Sequence, residues 1–586
     1  MTSKETHAKD RKNEGTGNPR TRSTALSPFS ISPFSLWEGM FKLATGSVAA
    51  VANAQRASIE AAMHSLELMT HSYARLWGGA PEEVLPADGR FRDEAWRENL
   101  AFDLIKQAYL ITAQWMVDVA DGLQDVDPDL HQRALFYTQQ FADAMSPSNF
   151  ALTNPEVIQE TVRTGGANLV QGMQNLVADL QQGRISQVPA DSFEVGKDLA
   201  CTPGKVVYRN KLVELIQYTP TTEHVHAIPI LVIPPWINKY YVMDLSPHNS
   251  MFKHLVDSGF TVFTISWKNP DSSLRDLEWE DYMSLGPLDG LRVVRSITGA
   301  EQVNMVGYCL GGIMLQVTLA YMAATSDQAA DGLPSANTAT YFATHQDFSD
   351  VGDIAVFISD PEIRFLDWLM SISGGYLDGR NMAATFSMLR ANDLLWHYVI
   401  NNYLLGKEPP EFDLLYWNSD GTRVPQTVHM YLLRNFFLVN NLAKPGYLQM
   451  KGVGIDVHRI TTPTYAVAAI ADHIVPWKGA FKIWDMVSGP MRLVLAESGH
   501  IAGIINPPAK NKRGYWINQE VEQGDRDKEV DPDAWLEGAT HHKGSWWVDW
   551  IPWLEERSGQ HITPPRLGND EFPPLMDAPG TYVLER

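Results

Sequence analysis

The window Val303-Asn304-Met305-Val306-Gly307-Tyr308-Cys309-Leu310-Gly311-Gly312, continued by Ile313-Met314-Leu315-Gln316-Val317-Thr318-Leu319-Ala320, constrains this chain more than any other stretch. A β-rich run ends in Gly-x-Cys-x-Gly and opens directly into an apolar helix. That layout predicts a nucleophile elbow, a strained strand-to-helix turn whose close neighbours must lack side chains. The turn also sets the Cys309 sulfur at a helix N-terminus, where free N–H groups and the macrodipole favour a thiolate and an oxyanion. The fold class expected is α/β.

Cys309 stands where hydrolases with this elbow carry Ser, and such an elbow predicts its partners in chain order: nucleophile, acid, then His. Residues 464–471 read as a strand that runs into Asp472-His473-Ile474-Val475-Pro476-Trp477, and Leu493-Val494-Leu495-Ala496 runs into Glu497-Ser498-Gly499-His500. Both loops follow strands, at the carboxyl edge where α/β sites assemble. Asp472 and His500 are therefore the expected acid and base. His473 is the rival base, but adjacent residues on one loop do not easily face each other. An oxyanion hole needs two backbone N–H donors. Leu310, after the nucleophile, supplies one. The strand ending in Pro234-Pro235-Trp236-Ile237-Asn238-Lys239 supplies the other from Trp236 or Ile237, because proline has no N–H. Cys201, in a Thr-Pro-Gly turn, reads as inert. His345-Gln346-Asp347 and His541-His542 read as surface or structural, since neither shows metal-site spacing.

Strands are expected at 206–208, 213–218, 228–233, 261–266, 302–306, 463–468 and 492–496, with helices at 247–258 and 279–297, which gives βαβ alternation and a largely parallel sheet. From about 320 to 445 the alternation lapses into an aromatic- and Asn-rich segment, as expected of a cap. Residues 27–190 read as helical, from stretches such as 36–43 and 98–105, with Pro147 and Pro155 as interruptions. Residues 1–26 read as a disordered, mildly basic tail. Hydrophobic residues make up 44% of the 586, enough for a sizeable core. The 47 basic and 69 acidic side chains leave a charge of −22, which argues against a general nucleic-acid binder. Two cysteines suit a reducing cytoplasm, and no apolar run approaches the roughly 18 residues that span a bilayer. A soluble intracellular protein is expected.

Several blocks resemble the polyhydroxyalkanoate synthases. They are Pro234-Pro235-Trp236-Ile237-Asn238-Lys239, Phe263-Thr264-Ile265-Ser266-Trp267-Lys268-Asn269-Pro270, Gly307-Tyr308-Cys309-Leu310-Gly311-Gly312, Asn401-Asn402-Tyr403-Leu404-Leu405-Gly406-Lys407, Asp472-His473-Ile474-Val475-Pro476-Trp477, Ser498-Gly499-His500 through Asn506-Pro507-Pro508, and Gly544-Ser545-Trp546-Trp547. The likeness spans about residues 190–560. It implies an α/β-hydrolase fold over 191–586 with an inserted cap and a helical N-terminal domain. It places the family's Cys, Asp and His at Cys309, Asp472 and His500. The N-terminal region and Gly-Tyr-Cys-Leu-Gly-Gly look closer to class I, which polymerises short (R)-3-hydroxyacyl-CoA such as 3-hydroxybutyryl-CoA. The acidic stretch 520–533 and the tail 1–26 are less like the family. Arg390, in Met388-Leu389-Arg390-Ala391-Asn392-Asp393, is a candidate cation for coenzyme A phosphates, with an ion pair to Asp393 as the alternative role. Trp546, Trp547, Trp550 and Trp553 are expected to pack under the sheet edge rather than bind polymer. No metal or cofactor is expected beyond the thioester substrate. The resemblance also implies a cytoplasmic homodimer at the polyester granule surface. The nearest competing reading is a cysteine thioesterase or polyester depolymerase on the same fold; a non-catalytic granule-coat protein is disfavoured by the ordered Cys, Asp and His.

Overall fold

The computed structural model describes residues 48–123, 127–189, 191–326, 332–522 and 530–586. The tail 1–26, the stretch 36–43 and the core of the acidic stretch 520–533 lie outside the described residues.

The N-terminal region folds as α1 (Val48–Leu76), α2 (Leu100–Asp121), α3 (Pro128–Ala144), α4 (Pro155–Thr164) and α5 (Ala167–Gln182). Their starts are written in the sequence. Asn99 accepts from the Ala101 N–H, Asp127 from Asp129 and Leu130, and Asn154 from Glu156 and Val157. Pro155, read above as an interruption, instead opens α4, and Pro147 opens a 3-10 turn (Pro147–Asn149). A first-turn proline loses nothing there, because its N–H would lack an intrahelical partner anyway.

The rest of the chain is built on one 11-stranded sheet. Its strands are β1 (Gly204–Arg209), β2 (Val213–Tyr218), β3 (Ile230–Ile233), β4 (Val262–Trp267), β5 (Gln302–Tyr308), β6 (Ser335–Phe342), β7 (Thr464–Ala469), β8 (Met491–Ala496), β9 (Gly514–Ile517), β10 (Thr540–Lys543) and β11 (Met576–Asp577). The spatial order is β10-β9-β8-β7-β6-β5-β3-β4-β2-β1-β11, and the run from β8 to β4 is parallel. Crossovers include α6 (Met251–Asp257) and α7 (Asp289–Thr298). The four residues of β3 are fully buried, as a strand covered on both faces requires.

One central strand was hidden in the sequence. Ser335–Phe342, assigned above to the start of the cap, is β6, paired with β5 on one side and β7 on the other. Two of its five buried residues, Thr338 and Thr340, are polar. Thr338 donates to the Asn304 side chain at 2.8 Å, and the Trp550 indole donates to Thr340 at 3.2 Å. The cap therefore lies between β6 and β7, not from 320 to 445. It contains α8 (Asp360–Ile372) and α9 (Gly379–Leu389), and the helix after the elbow, Leu310–Thr325, belongs to the sheet layer.

The N-terminal helices hold this cap through backbone-directed contacts. Asn168 donates to the Leu404 carbonyl at 2.8 Å, Asn175 to Asn402 at 2.9 Å, and Gln132 to Gly352 at 3.0 Å. Gly172 meets the Tyr403 carbonyl so closely that any Cβ would overlap it. Among the described residues no helix is long and apolar enough to cross a membrane.

Candidate active site

Cys309 sits between the end of β5 and the start of helix Leu310–Thr325, with φ 53° and ψ −119°. A left-handed φ in a non-glycine residue stores about 1–3 kcal/mol and is held only by surrounding structure. Here the Cys309 N–H donates to the Phe342 carbonyl at 2.9 Å, and its carbonyl takes the Gly312 and Ile313 N–H groups at 2.9 and 3.2 Å. The three flanking glycines each meet a neighbour that leaves no room for a Cβ: Gly307 the Gly312 backbone, Gly311 the Ile233 carbonyl, Gly312 the Thr344 side chain.

The Gly311 contact also sets the geometry around the elbow. It presses the first turn of the helix, which opens with the Leu310 N–H, against the chain leaving β3. That chain carries Trp236 and Ile237. The loop is fixed on its other side by the cap, where the Thr422 N–H donates to the Ile237 carbonyl at 3.0 Å and the Trp417 indole to Lys239 at 2.6 Å. Trp236 is buried edge-on against Trp267 and Trp279. Replacing Gly311 with alanine should push the two strand ends apart at the elbow. A displacement near 1 Å at reacting groups costs about 10²-fold in rate, so kcat should fall by that order while circular dichroism stays unchanged. An alanine variant with full activity would show that this approach does not matter.

Asp472 and His500 come together behind the sulfur. His500 Nδ1 donates to Asp472 Oδ2 at 2.7 Å, and Asp472 Oδ1 accepts the Ile474 and Val475 N–H groups at 2.9 Å each. The Asp472 side chain is fully enclosed. With Nδ1 committed to the carboxylate, Nε2 is the ring nitrogen left for the Cys309 sulfur. Burial disfavours the imidazolium, but the Asp472 charge, the Cys309 sulfur and the hydrogen bonds to both outweigh it, raising His500 to about 10. The Asp472 carboxylate thus makes the His500 ring a strong acceptor for a proton beside the sulfur. His473 differs. Burial, with Arg390 and His500 nearby, pushes it down to about 4, so its ring is neutral, and its buried Nδ1 has no partner among the described residues.

Two residues of this neighbourhood escaped the sequence reading as site elements. The Tyr308 hydroxyl donates to the His500 carbonyl at 3.0 Å and its ring stacks on the imidazole at 5.6 Å. His345, buried at the carboxyl end of β6, bonds through Nε2 to the Ile474 carbonyl at 3.2 Å and so braces the Asp472 loop. Recognising β6 as a strand would have placed His345 between nucleophile and acid. His541 instead pairs with Glu497 at 3.0 Å, away from this cluster. Cys201 lies apart, and burial raises its thiol pKa.

Arg390 ends α9 and pairs with Asp393 at 2.6 Å. It is half-exposed and lines a cavity of about 430 Å³ between α2, α3 and the cap, together with Phe136, Leu389 and Asn392. The tryptophan-rich segment packs inward as α10 (Trp547–Glu555). Trp546 and Trp547 donate to the Gly503 and Ile504 carbonyls at 3.0 Å each, so they brace the loop that follows His500.

A strand–Cys–helix elbow with a buried His–Asp pair on later strand ends defines an α/β-hydrolase fold carrying a Cys–His–Asp set, and a family model described as alpha/beta hydrolase fold matches residues 228–507. A second, described as Poly-beta-hydroxybutyrate polymerase (PhaC) N-terminus, matches residues 87–255. The poly(3-hydroxyalkanoate) polymerase of Methylorubrum extorquens is 41% identical over 89% of this chain and 87% of its own. The poly(3-hydroxyalkanoate) polymerase subunit of Cupriavidus necator is 40% identical over 87% of this chain and 86% of its own, and that of Rhizobium meliloti 41% over 91% and 86%. The chain belongs to the poly(3-hydroxyalkanoate) polymerase family.

Proposed function

We propose that this chain is a class I polyhydroxyalkanoate synthase that polymerises (R)-3-hydroxyacyl-CoA, in particular 3-hydroxybutyryl-CoA, with release of coenzyme A through a Cys309 acyl-enzyme. The observation that carries the reading is the 2.7 Å His500–Asp472 bond behind an elbow cysteine, in a chain of this family. His500 takes the Cys309 proton, and the thiolate attacks the thioester carbonyl. The oxyanion rests on the Leu310 N–H and that of Trp236 or Ile237. The C–S bond to coenzyme A breaks and the coenzyme leaves as thiol, taking the His500 proton.

A new thioester replaces the old one, so the acyl group stays reactive. A serine would trap it as a more stable oxygen ester. The 3-hydroxyl of a second acyl-CoA then gives its proton to His500 and attacks the acyl-enzyme carbonyl. A C–O ester bond forms, the C–S bond to Cys309 breaks to free the thiolate, and the lengthened chain, still a coenzyme A thioester, reacylates Cys309 with release of that coenzyme. Asp472 holds the His500 tautomer and stabilises the imidazolium. The cap keeps water from the acyl-enzyme. Arg390, on the cavity wall, meets coenzyme A phosphates by exchanging its Asp393 partner. The reading needs no cofactor beyond the thioester substrate, and it includes a cytoplasmic homodimer working at the polyester granule surface.

Incubating the full chain with 3-hydroxybutyryl-CoA tests this. Thiol release should be accompanied by turbidity from insoluble polymer. Thiol release with free hydroxyacid and a clear solution would instead establish a thioesterase.

A further inference from the structure

Among the described residues, helix α1 is packed on one side only. Ala57 and Leu68 are buried, Arg75 pairs with Asp103 at 2.6 Å, and Asn53 donates to the Gly122 carbonyl at 3.1 Å, all toward α2 and its C-terminal end. The opposite side carries Ile59, Met63, Leu66, Met69 and Tyr73, exposed by 61, 58, 66, 70 and 64%. Their spacing of four, three, three and four residues keeps them in one stripe, the pattern of a helix that pairs with another at a shallow angle.

The stripe reads the same in both directions from Leu66. Met63 and Met69 lie three residues away on either side, and Ile59 and Tyr73 lie seven. We propose that this stripe is the contact by which a second copy of the chain pairs antiparallel with the first, about a twofold axis at Leu66. Rotation about that axis sets Leu66 on Leu66, Met63 on Met69 and Ile59 on Tyr73, an isologous contact in which each side chain meets its mirror position. Ala62 and Thr70 also fall opposite each other and let the backbones approach. The charged residues of α1 do not oppose their own sign, since Glu60 faces Ser72, Glu67 faces Ser65 and Arg56 faces Leu76.

The area is sufficient. Extended by Leu76 and Trp77, 67 and 78% exposed, the stripe offers on the order of 900 Å² per copy at roughly 200 Å² for a large side chain. A standard interface takes about 800 Å² per partner. A lipid-like surface suits the stripe less well. Interfacial helices carry Lys and Arg along the polar face, whereas α1 balances Arg56 and Arg75 with Glu60 and Glu67 and has no lysine.

This deepens the homodimer reading above and rests on it. The test uses full-length Leu66→Cys, a short bis-maleimide, peptide mapping to separate the native cysteines, and sedimentation of the same samples. The geometry predicts a cross-link joining the two substituted positions. Ile59→Cys mixed with Tyr73→Cys should cross-link between the two variants, while Ile59→Cys alone should not. Leu66→Glu, at an exposed position, should keep the melting temperature and raise the dimer dissociation constant about tenfold or more. A dimer by sedimentation that gives no cross-link at position 66 overturns the stripe and spares the dimer. A monomer throughout overturns both. Self-cross-linking of Ile59→Cys would make the pairing parallel and overturn the twofold axis at Leu66. If Leu66→Glu abolishes binding to phospholipid vesicles or polymer particles while the dimer is unaffected, the stripe serves a surface and not a second copy.

Discussion

Cys309→Ala should abolish coenzyme A release, a loss of about 10⁴-fold or more for the nucleophile of a covalent mechanism, while the fold survives. Alanine fits because the side chain removed is small and partly exposed, and because the left-handed turn is held by backbone bonds to Phe342, Gly312 and Ile313 that the substitution leaves intact. Thiol release and near-ultraviolet circular dichroism, measured on the same preparation, separate chemistry from folding. Cys201→Ala is the matched control. Its thiol lies away from the His500–Asp472 pair, beside Asp244, and should be nearly silent. Substantial turnover in a well-folded Cys309→Ala, or an equal loss in Cys201→Ala, would move the nucleophile elsewhere.

His500→Gln and Asp472→Asn should fail at different steps. His500 stands between the carboxylate and the sulfur, so its loss should suppress even the first acylation and leave Cys309 slow toward iodoacetamide near neutral pH. Asp472→Asn keeps the size and two of the local bonds, but it removes the charge that raises His500 and turns an acceptor into a donor at Nδ1. Cysteine is intrinsically nucleophilic, so acylation should fall only about 10–100-fold. Elongation must remove a proton from a hydroxyl, which is far harder, and should fall by about 10³-fold or more. Asp472→Asn should therefore accumulate an acyl-enzyme. If it proved as dead in acylation as His500→Gln, the two roles would not be separable in this way.

What could be read from the chain, and what could not, follows from where the signal resides. The elbow is local: glycines, cysteine and an apolar helix lie within one short window, and Asp472 and His500 each follow a run of buried aliphatic residues. The helix starts at Asn99, Asp127 and Asn154 were equally local. Strand β6 was not. Ser335-Ala336-Asn337-Thr338-Ala339-Thr340 has neither alternation nor an apolar run, and it is stable in the sheet because Asn304 and Trp550, distant in sequence, satisfy its hydroxyls. Missing that strand moved the expected cap boundary and hid His345. Tyr308 was in plain view inside the elbow, but its bond to the His500 carbonyl depends on a loop nearly two hundred residues away. Arg390 was legible as a cation, with its pairing to Asp393 as the alternative role, but its place on the cavity wall needed coordinates.

The central claim is a covalent acyl group on one sulfur, and it is tested most directly by quenching the unsubstituted enzyme in acid during turnover of 3-hydroxybutyryl-CoA, digesting it, and mapping the acyl mass by tandem spectrometry. The account predicts hydroxybutyryl or oligohydroxybutyryl groups on the peptide containing Cys309, released by hydroxylamine and absent from the peptide containing Cys201. Coenzyme A release at full rate with the acyl mass on another residue, or with no acylated peptide at any quench time, would contradict it.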